Sequence, residues 1–168
     1  MHGGDVSRVH DVGCGVGFFL KACQEMGLAV SGNDLNGYAV GRMQELFGFD
    51  ASVGQLKELL DCGKLQKESL DIVHMNDFIE HTYHPDQEVS VSFQLLKPGG
   101  LIYVRTFFVD SDKFRQFGSR WDMLMWNHAY HFSSKSLTDI IAKQGFMISE
   151  VSLHQNTGII EVFGVKPK

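Results

Sequence analysis

Val9-His10-Asp11-Val12-Gly13-Cys14-Gly15-Val16-Gly17-Phe18-Phe19-Leu20 is the stretch on which the fold of this chain turns. It opens as a short apolar strand, sets a glycine at positions 13, 15 and 17, and then becomes amphipathic. Without a Cβ, glycine lets the backbone turn tightly and approach a ligand closely. The segment that follows supplies a helix N-terminus beneath the loop. Strand, glycine loop and helix in that order predict a small-molecule cofactor site, against the plainer alternative of a tight turn that holds nothing.

The spacing separates two kinds of nucleotide cofactor. A dinucleotide fingerprint needs its third glycine three positions after the second. Here that position is Phe18, and Gly17 comes one residue early, so a nicotinamide dinucleotide is disfavoured. Further along, the apolar stretch Leu28-Ala29-Val30-Ser31-Gly32 ends in Asn33-Asp34-Leu35-Asn36. In a doubly wound sheet ligands occupy the crevice at the carboxyl ends of the strands, where a carboxylate can accept two hydrogen bonds from a ribose diol. Asp34 or Asn36 could instead cap the helix that begins near Tyr38. Because Asn36 can do the capping, Asp34 is the strongest single ligand contact.

Asp11-Val12-Gly13-Cys14-Gly15-Val16-Gly17 resembles the first motif of class I S-adenosylmethionine-dependent methyltransferases, an acidic residue before an alternating glycine loop. Leu70 to His81, then Leu95-Leu96-Lys97-Pro98-Gly99-Gly100-Leu101-Ile102-Tyr103-Val104, resemble that family's fourth strand and the turn before its fifth. Glu80-His81 followed by Pro85, and Asn127-His128-Ala129-Tyr130-His131-Phe132 ahead of Gly145-Phe146, are similar to the ubiquinone-biosynthesis-like and type 11, 12 and 23 members. The likeness runs from Val9 to Lys166. It implies an α/β, Rossmann-like, doubly wound sheet of mostly parallel strands in the order 3-2-1-4-5-7-6, strand 7 antiparallel, with helices on both faces.

The same resemblance implies a cofactor, S-adenosyl-L-methionine, and its product S-adenosyl-L-homocysteine. Asp11, Gly13, Cys14, Gly15 and Gly17 would shape the methionine side and Asp34 would hold the ribose. Leu35 and Gln55 would flank adenine, and Asn76 and Asp77 would line the floor. His81, His128 and His131, with Trp126, would face the acceptor. Methyl transfer from a sulfonium is an in-line displacement, so alignment and exclusion of water supply much of the catalysis. An oxygen or nitrogen acceptor often needs a proton removed, and the three histidines are the candidate bases. Asp77-x-x-Glu80-His81 also resembles a metal-binding cluster of ubiquinone-type O-methyltransferases, where magnesium orients a catechol-like acceptor. Glu80 can equally cap or pair locally, and no metal ligand is assigned.

Composition agrees with one such domain over residues 1–168. The chain has 168 residues, 43% hydrophobic, enough for a single core. A net charge of -5 and the absence of a basic run exclude a nucleic-acid surface from the expectation. Cys14, Cys23 and Cys62 form no Cys-x-x-Cys pair and follow no secretory segment, so they read as reduced thiols of a cytoplasmic protein. Cys14 has no fixed base beside it and reads as a packing residue. No stretch is apolar enough to span a membrane.

Apolar periodicity predicts helices over 18–26, 38–47, 55–65, 86–96 and 136–144. Strands are predicted over 6–12, 28–32, 49–53, 72–75 and 101–104, with 146–153 and 159–165 as an antiparallel pair. Phe107 to Phe132, rich in aromatic residues, breaks this rhythm and reads either as a lid over the acceptor pocket or as a local hydrophobic cluster or oligomer contact.

Two departures from the family stand out. The resemblance implies cap helices before the first strand, where this sequence offers only Met1 to Ser7, so the cap is either missing or lies outside a truncated sequence, and Gln55 stands where an acidic residue often meets the adenine amino group. The leading expectation is methyl transfer to a small-molecule acceptor, its nucleophilic atom unresolved. The rival is a catalytically silent cofactor-binding or interaction module on the same fold.

Overall fold

In the computed structural model, which describes residues 7–168, the apolar runs pair into one sheet. Its strands are β1 (Arg8–Val12), β2 (Ala29–Asp34), β3 (Asp50–Val53), β4 (Leu70–Asn76), β5 (Leu96–Phe107), β6 (Met147–His154) and β7 (Ile159–Val165). Their order is β3-β2-β1-β4-β5-β7-β6, with β7 antiparallel to both of its neighbours. The helices are α1 (Phe18–Glu25), α2 (Gly37–Phe47), α3 (Leu56–Asp61), α4 (Pro85–Leu95), α5 (Asp112–Phe117) and α6 (Ser134–Lys143).

Period-two alternation sorts each strand's residues to two faces. On one face Val12, Met75, Val104 and Val162 lie in register across four strands, and α3, α4 and α6 bury Leu56, Val89, Leu95, Leu137 and Ile141 against them. On the other face α1 and α2 pack Leu20 and Met43 with Cys14 and Phe49. Asp11, His74, Tyr103 and Phe163 form the adjacent row on that second face. The Asp11 carboxylate bonds the His74 ring at 2.7 Å, and stacked or tilted rings continue the row at 5.0 and 4.9 Å.

The structure moves several boundaries. The chain from Lys97 to Gly100, expected as a turn, is absorbed into β5 as a register shift, with Gly99 at φ +83°. A Cβ on Gly100 would lie 2.9 Å from the Lys97 carbonyl oxygen, which explains the second glycine. Helix α3 stops at Asp61, short of Leu65, because Gly63 turns the chain at φ +78°. Helix α6 starts earlier than expected, at Ser134, since Ser133 caps it and exchanges hydrogen bonds with Ser136. The Val6 end of the first predicted strand lies outside the described residues.

Phe107 to Phe132 divides between the two readings. Phe108, Trp121 and Phe132 are buried, and Phe108 bridges Phe132, so this part is core. Trp126 is 96% exposed, with Leu124, Met125 and Tyr130 also at the surface. Among the described residues no helix is long and apolar enough to cross a membrane.

Candidate functional site

The carboxyl ends of β1, β2 and β4 converge on the glycine loop. The amides of Gly13 and Cys14 both donate to the Asn33 carbonyl, at 2.8 and 3.0 Å, and fasten the loop to β2. Gly13, Gly15 and Gly17 have φ values of +74°, +51° and +81°, the left-handed region that an L side chain occupies only with strain. Space adds a second reason at two of them. A Cβ on Gly13 would lie 2.7 Å from the Phe78 ring, and one on Gly17 would collide with the Met43 sulfur.

Asp34 ends β2 with its carboxylate against the loop. Gly15 N donates to Oδ2 at 2.9 Å and Asn36 N to Oδ1 at 2.8 Å. The Asn36 side chain accepts from Tyr38 N and Ala39 N and so caps α2. Capping and carboxylate are therefore separate residues. Each Asp34 oxygen has one donor from the backbone and capacity for another.

Two recesses open beside this loop. The larger, about 670 Å³, is lined by Asp34, Leu35, Gln55, Asp77, Phe78 and His81, among others. The smaller, about 380 Å³, is lined by Asp11, Cys14, Gly17, Phe19, His74 and Asn76. Gly13 lines both and stands at the seam. The cofactor set expected from the sequence is thus split, with Asp34, Leu35, Gln55 and Asp77 on one side and Asp11, Cys14, Gly17 and Asn76 on the other. Gly15 lines neither recess and acts through its amide on Asp34.

Asp77 sits at φ +51°. Its carboxylate takes two 2.7 Å hydrogen bonds from Arg105 Nη1, its amide donates to the Arg105 carbonyl, and Asn76 donates to Oδ2. Cys14 is buried, and burial together with Asp11 and Asp34 pushes its thiol up to about 12. Such a thiol is not a nucleophile near neutrality.

The candidate bases are not equivalent. His81 is exposed and lines the larger cleft, and its Nδ1 lies 3.0 Å from the Asn127 carbonyl oxygen. A carbonyl only accepts, so Nδ1 carries the proton and Nε2 of the neutral ring keeps a lone pair. His128 is buried beside it, with ring centroids 4.7 Å apart. Burial and the neighbouring His81 hold its pKa below the ordinary imidazole value. His131 lies 6.0 Å from His128 but outside the cleft lining, and Trp126 is outside it as well.

Glu80 is buried behind the histidines. Among the described residues neither carboxylate oxygen has a hydrogen-bond partner within ordinary limits, and the buried Thr106 hydroxyl, near enough to favour the charged form, lacks one as well. Burial raises the Glu80 pKa. The metal set suggested by the resemblance does not assemble, because Asp77 is bound to Arg105. The group the fold draws together is Glu80, His81 and His128, whose ligand atoms lie within 4.8 Å of one another. Two imidazoles and one carboxylate suit a borderline transition ion better than magnesium, which prefers oxygen ligands.

Sequence reasoning missed Phe78 over Gly13, His74 under Asp11, Arg105 on Asp77, and Glu88 in the larger cleft. The one signal in the sequence for any of them is Glu88, an acid among the apolar and small residues of α4.

A family model described as a methyltransferase domain matches residues 3–151. The chain belongs to that family, the S-adenosylmethionine-dependent methyltransferases of class I. It is 31% identical over 103 residues to a ubiquinone biosynthesis O-methyltransferase of Xanthomonas oryzae pv. oryzae, covering 60% of this chain and 43% of that protein. The chain therefore spans less than half the length of that curated relative. Among solved structures, the putative methyltransferase in complex with the Trm112 activator of Haloferax volcanii superposes with a TM-score of 0.80 at 17% identity, over 98% of this chain and 85% of that one. A Haemonchus contortus phosphoethanolamine N-methyltransferase in complex with S-adenosyl-L-methionine gives 0.76 at 20%, over 97% and 49%. At these identities the two structures establish the fold.

Proposed function

We propose that this chain, acting as one catalytic domain in a reducing cytoplasm, transfers a methyl group from S-adenosyl-L-methionine to a small-molecule acceptor, with oxygen as the favoured nucleophile. The observation that carries the reading is Asp34. It is a carboxylate at the end of β2, held by Gly15 N and Asn36 N and opening on a cleft of about 670 Å³ across Gly13 from a second recess. In this reading Asp34 binds the ribose diol, Leu35 and Gln55 flank adenine, and the methionine moiety enters the recess of Asp11 and Asn76. Arg105 fixes Asp77 and the floor between them. An oxygen acceptor is supported by the O-methyltransferase name of the Xanthomonas relative and by the free Nε2 of His81.

His81 Nε2 would take the proton of the acceptor hydroxyl as the oxygen attacks the methyl carbon and the sulfur leaves as a neutral thioether. His128, held neutral by burial, would relay or share that proton, and Glu80 would steady the resulting imidazolium. If a divalent ion is bound by Glu80, His81 and His128, it would supply Lewis acidity at that point.

The test is isothermal titration with S-adenosylhomocysteine, followed by methyl transfer from labelled S-adenosylmethionine to a panel of catechols, phenols and hydroxy acids. Binding with product formation, abolished in His81→Ala but with binding retained, is the expected result. A folded protein that does not bind S-adenosylhomocysteine overturns the proposal. Binding with no transfer to any acceptor class favours the silent-module alternative.

A further inference from the structure

The larger cleft holds a group that the proposed function does not use. Glu88 lies in α4, lines the same cleft as Leu35 and Gln55, and is only 3% exposed. Its Oε2 has no hydrogen-bond partner among the described residues. A buried polar atom without a partner is destabilising and calls for an explanation, which a ligand donor or acceptor would supply. The charge that acts on Glu88 is a second acid, Glu58 of α3, which offers no compensation. Glu58 itself is occupied, since its Oε2 accepts from Gln55 N at 3.0 Å. His84 and Tyr83, at the start of α4, and Asp34, Asp77 and His81, from the other walls, are the remaining titratable groups that line the cleft.

We propose that Glu88 recognises the Watson–Crick edge of the cofactor's adenine, accepting a hydrogen bond from the exocyclic N6 amine and donating one to N1. The inference rests on the S-adenosylmethionine reading above and extends it to the base. It also accounts for the departure at Gln55. The acidic contact that the resemblance implies after the third strand would be supplied here from α4, which lines the same cleft as Gln55.

The chemistry matches in both directions. A neutral carboxyl group presents an acceptor and a donor side by side, and the adenine edge presents a donor, N6–H, beside an acceptor, N1. Burial, reinforced by Glu58, pushes Glu88 up to about 7, so the neutral form is substantially present at physiological pH. An ionised Glu88 would keep the N6 contact and set a negative oxygen against the N1 lone pair.

The experiment compares two probes, S-adenosylhomocysteine and its 1-deaza counterpart, in which N1 is replaced by C–H so that the edge keeps the N6 donor and loses the N1 acceptor. Both are titrated into wild type, Glu88→Gln and Glu88→Ala at pH 6 and pH 8. Wild type is expected to prefer the adenosine form by up to about tenfold at pH 6, and less at pH 8, one hydrogen bond being worth up to about a factor of ten. Glu88→Ala should cut that preference at least fivefold. Glu88→Gln, whose amide also offers an acceptor and a donor, should keep the preference and lose its dependence on pH.

A wild type without preference, or a Glu88→Ala protein with the wild-type ratio, overturns the assignment of Glu88 while leaving the cofactor reading in place. A wild type that binds neither probe overturns both. Because the wild-type ratio is informative by itself, the test does not depend on either variant folding.

Discussion

Asp34→Ala removes the one side chain that joins the glycine loop to the proposed ribose site. Gly15 N and Asn36 N donate to its two oxygens at 2.9 and 2.8 Å, and a ribose diol would add two more hydrogen bonds to the same carboxylate. Hydrogen bonds to a charged group contribute about 1.5–3 kcal/mol each, so the ribose pair is worth about 3–6 kcal/mol. That is a weakening of S-adenosylhomocysteine binding by roughly two to four powers of ten. Two loop amides also lose their acceptor, which pushes the value towards the upper end. Asp34→Asn keeps the volume and one acceptor oxygen but turns an amide N–H towards one of the backbone donors, and should fall between. Isothermal titration measures both, with melting curves to show that the variants are folded. A cofactor product lacking both ribose hydroxyls should bind wild type and Asp34→Ala with similar affinity. If Asp34→Ala binds the intact product within threefold of wild type, the ribose assignment is wrong.

Gly17→Ala combines a left-handed φ, costing about 1–2 kcal/mol, with a methyl group forced onto Met43, costing about 1–3 kcal/mol more. Thermal melting should show a fall of roughly 5–15 °C, and a change under about 2 °C would contradict the packing argument. Glu88 binds its proton more tightly folded, at about 7 against the ordinary 4.5, so its stabilisation is full below pH 4.5 and disappears as pH rises through about 7. The loss is on the order of 3 kcal/mol, and Glu88→Gln should melt increasingly above wild type between pH 5 and 8; parallel curves would refute it. Turnover after chelation with EDTA should stay within twofold of the untreated protein. A loss restored by zinc or manganese would instead make Glu80, His81 and His128 metal ligands.

The sheet was legible where a strand's residues announce burial on both sides. Val6 to Val12 and Ile72 to Met75 read directly as parallel strands, the first realised over Arg8–Val12, whereas the order of the strands came from resemblance, because periodicity carries no information on which strand lies beside which. The turn of the glycine loop was legible too, since alternating glycines admit the left-handed conformations that it takes. The contacts that complete the site were not. His74 bonds Asp11 across 63 positions and Arg105 reaches Asp77 across 28, pairings created by adjacency of β1, β4 and β5. The aromatic segment shows the same limit. Phe108 and Trp126 are both aromatic residues of one segment, yet one is 1% exposed and the other 96%, because Phe108 continues β5, bridging Phe132 and bonding the Gly158 carbonyl, contacts that no local pattern announces.

The order of the sheet also governs how the chain can assemble. β7 is the last of the seven strands in sequence, but it lies inside the sheet, between β5 and β6. During synthesis β6 therefore emerges before its only neighbour exists, and β5 waits with one edge open along seven residues, Leu101 to Phe107. An open strand edge is a template for pairing with another chain. A ribosome that stalls before Ile159 thus leaves a chain with β6 unpaired and one edge of β5 open, and no strand to close the gap. The half of the domain that carries the proposed cofactor site can form early, but protection from aggregation arrives only when β7 slides into the gap.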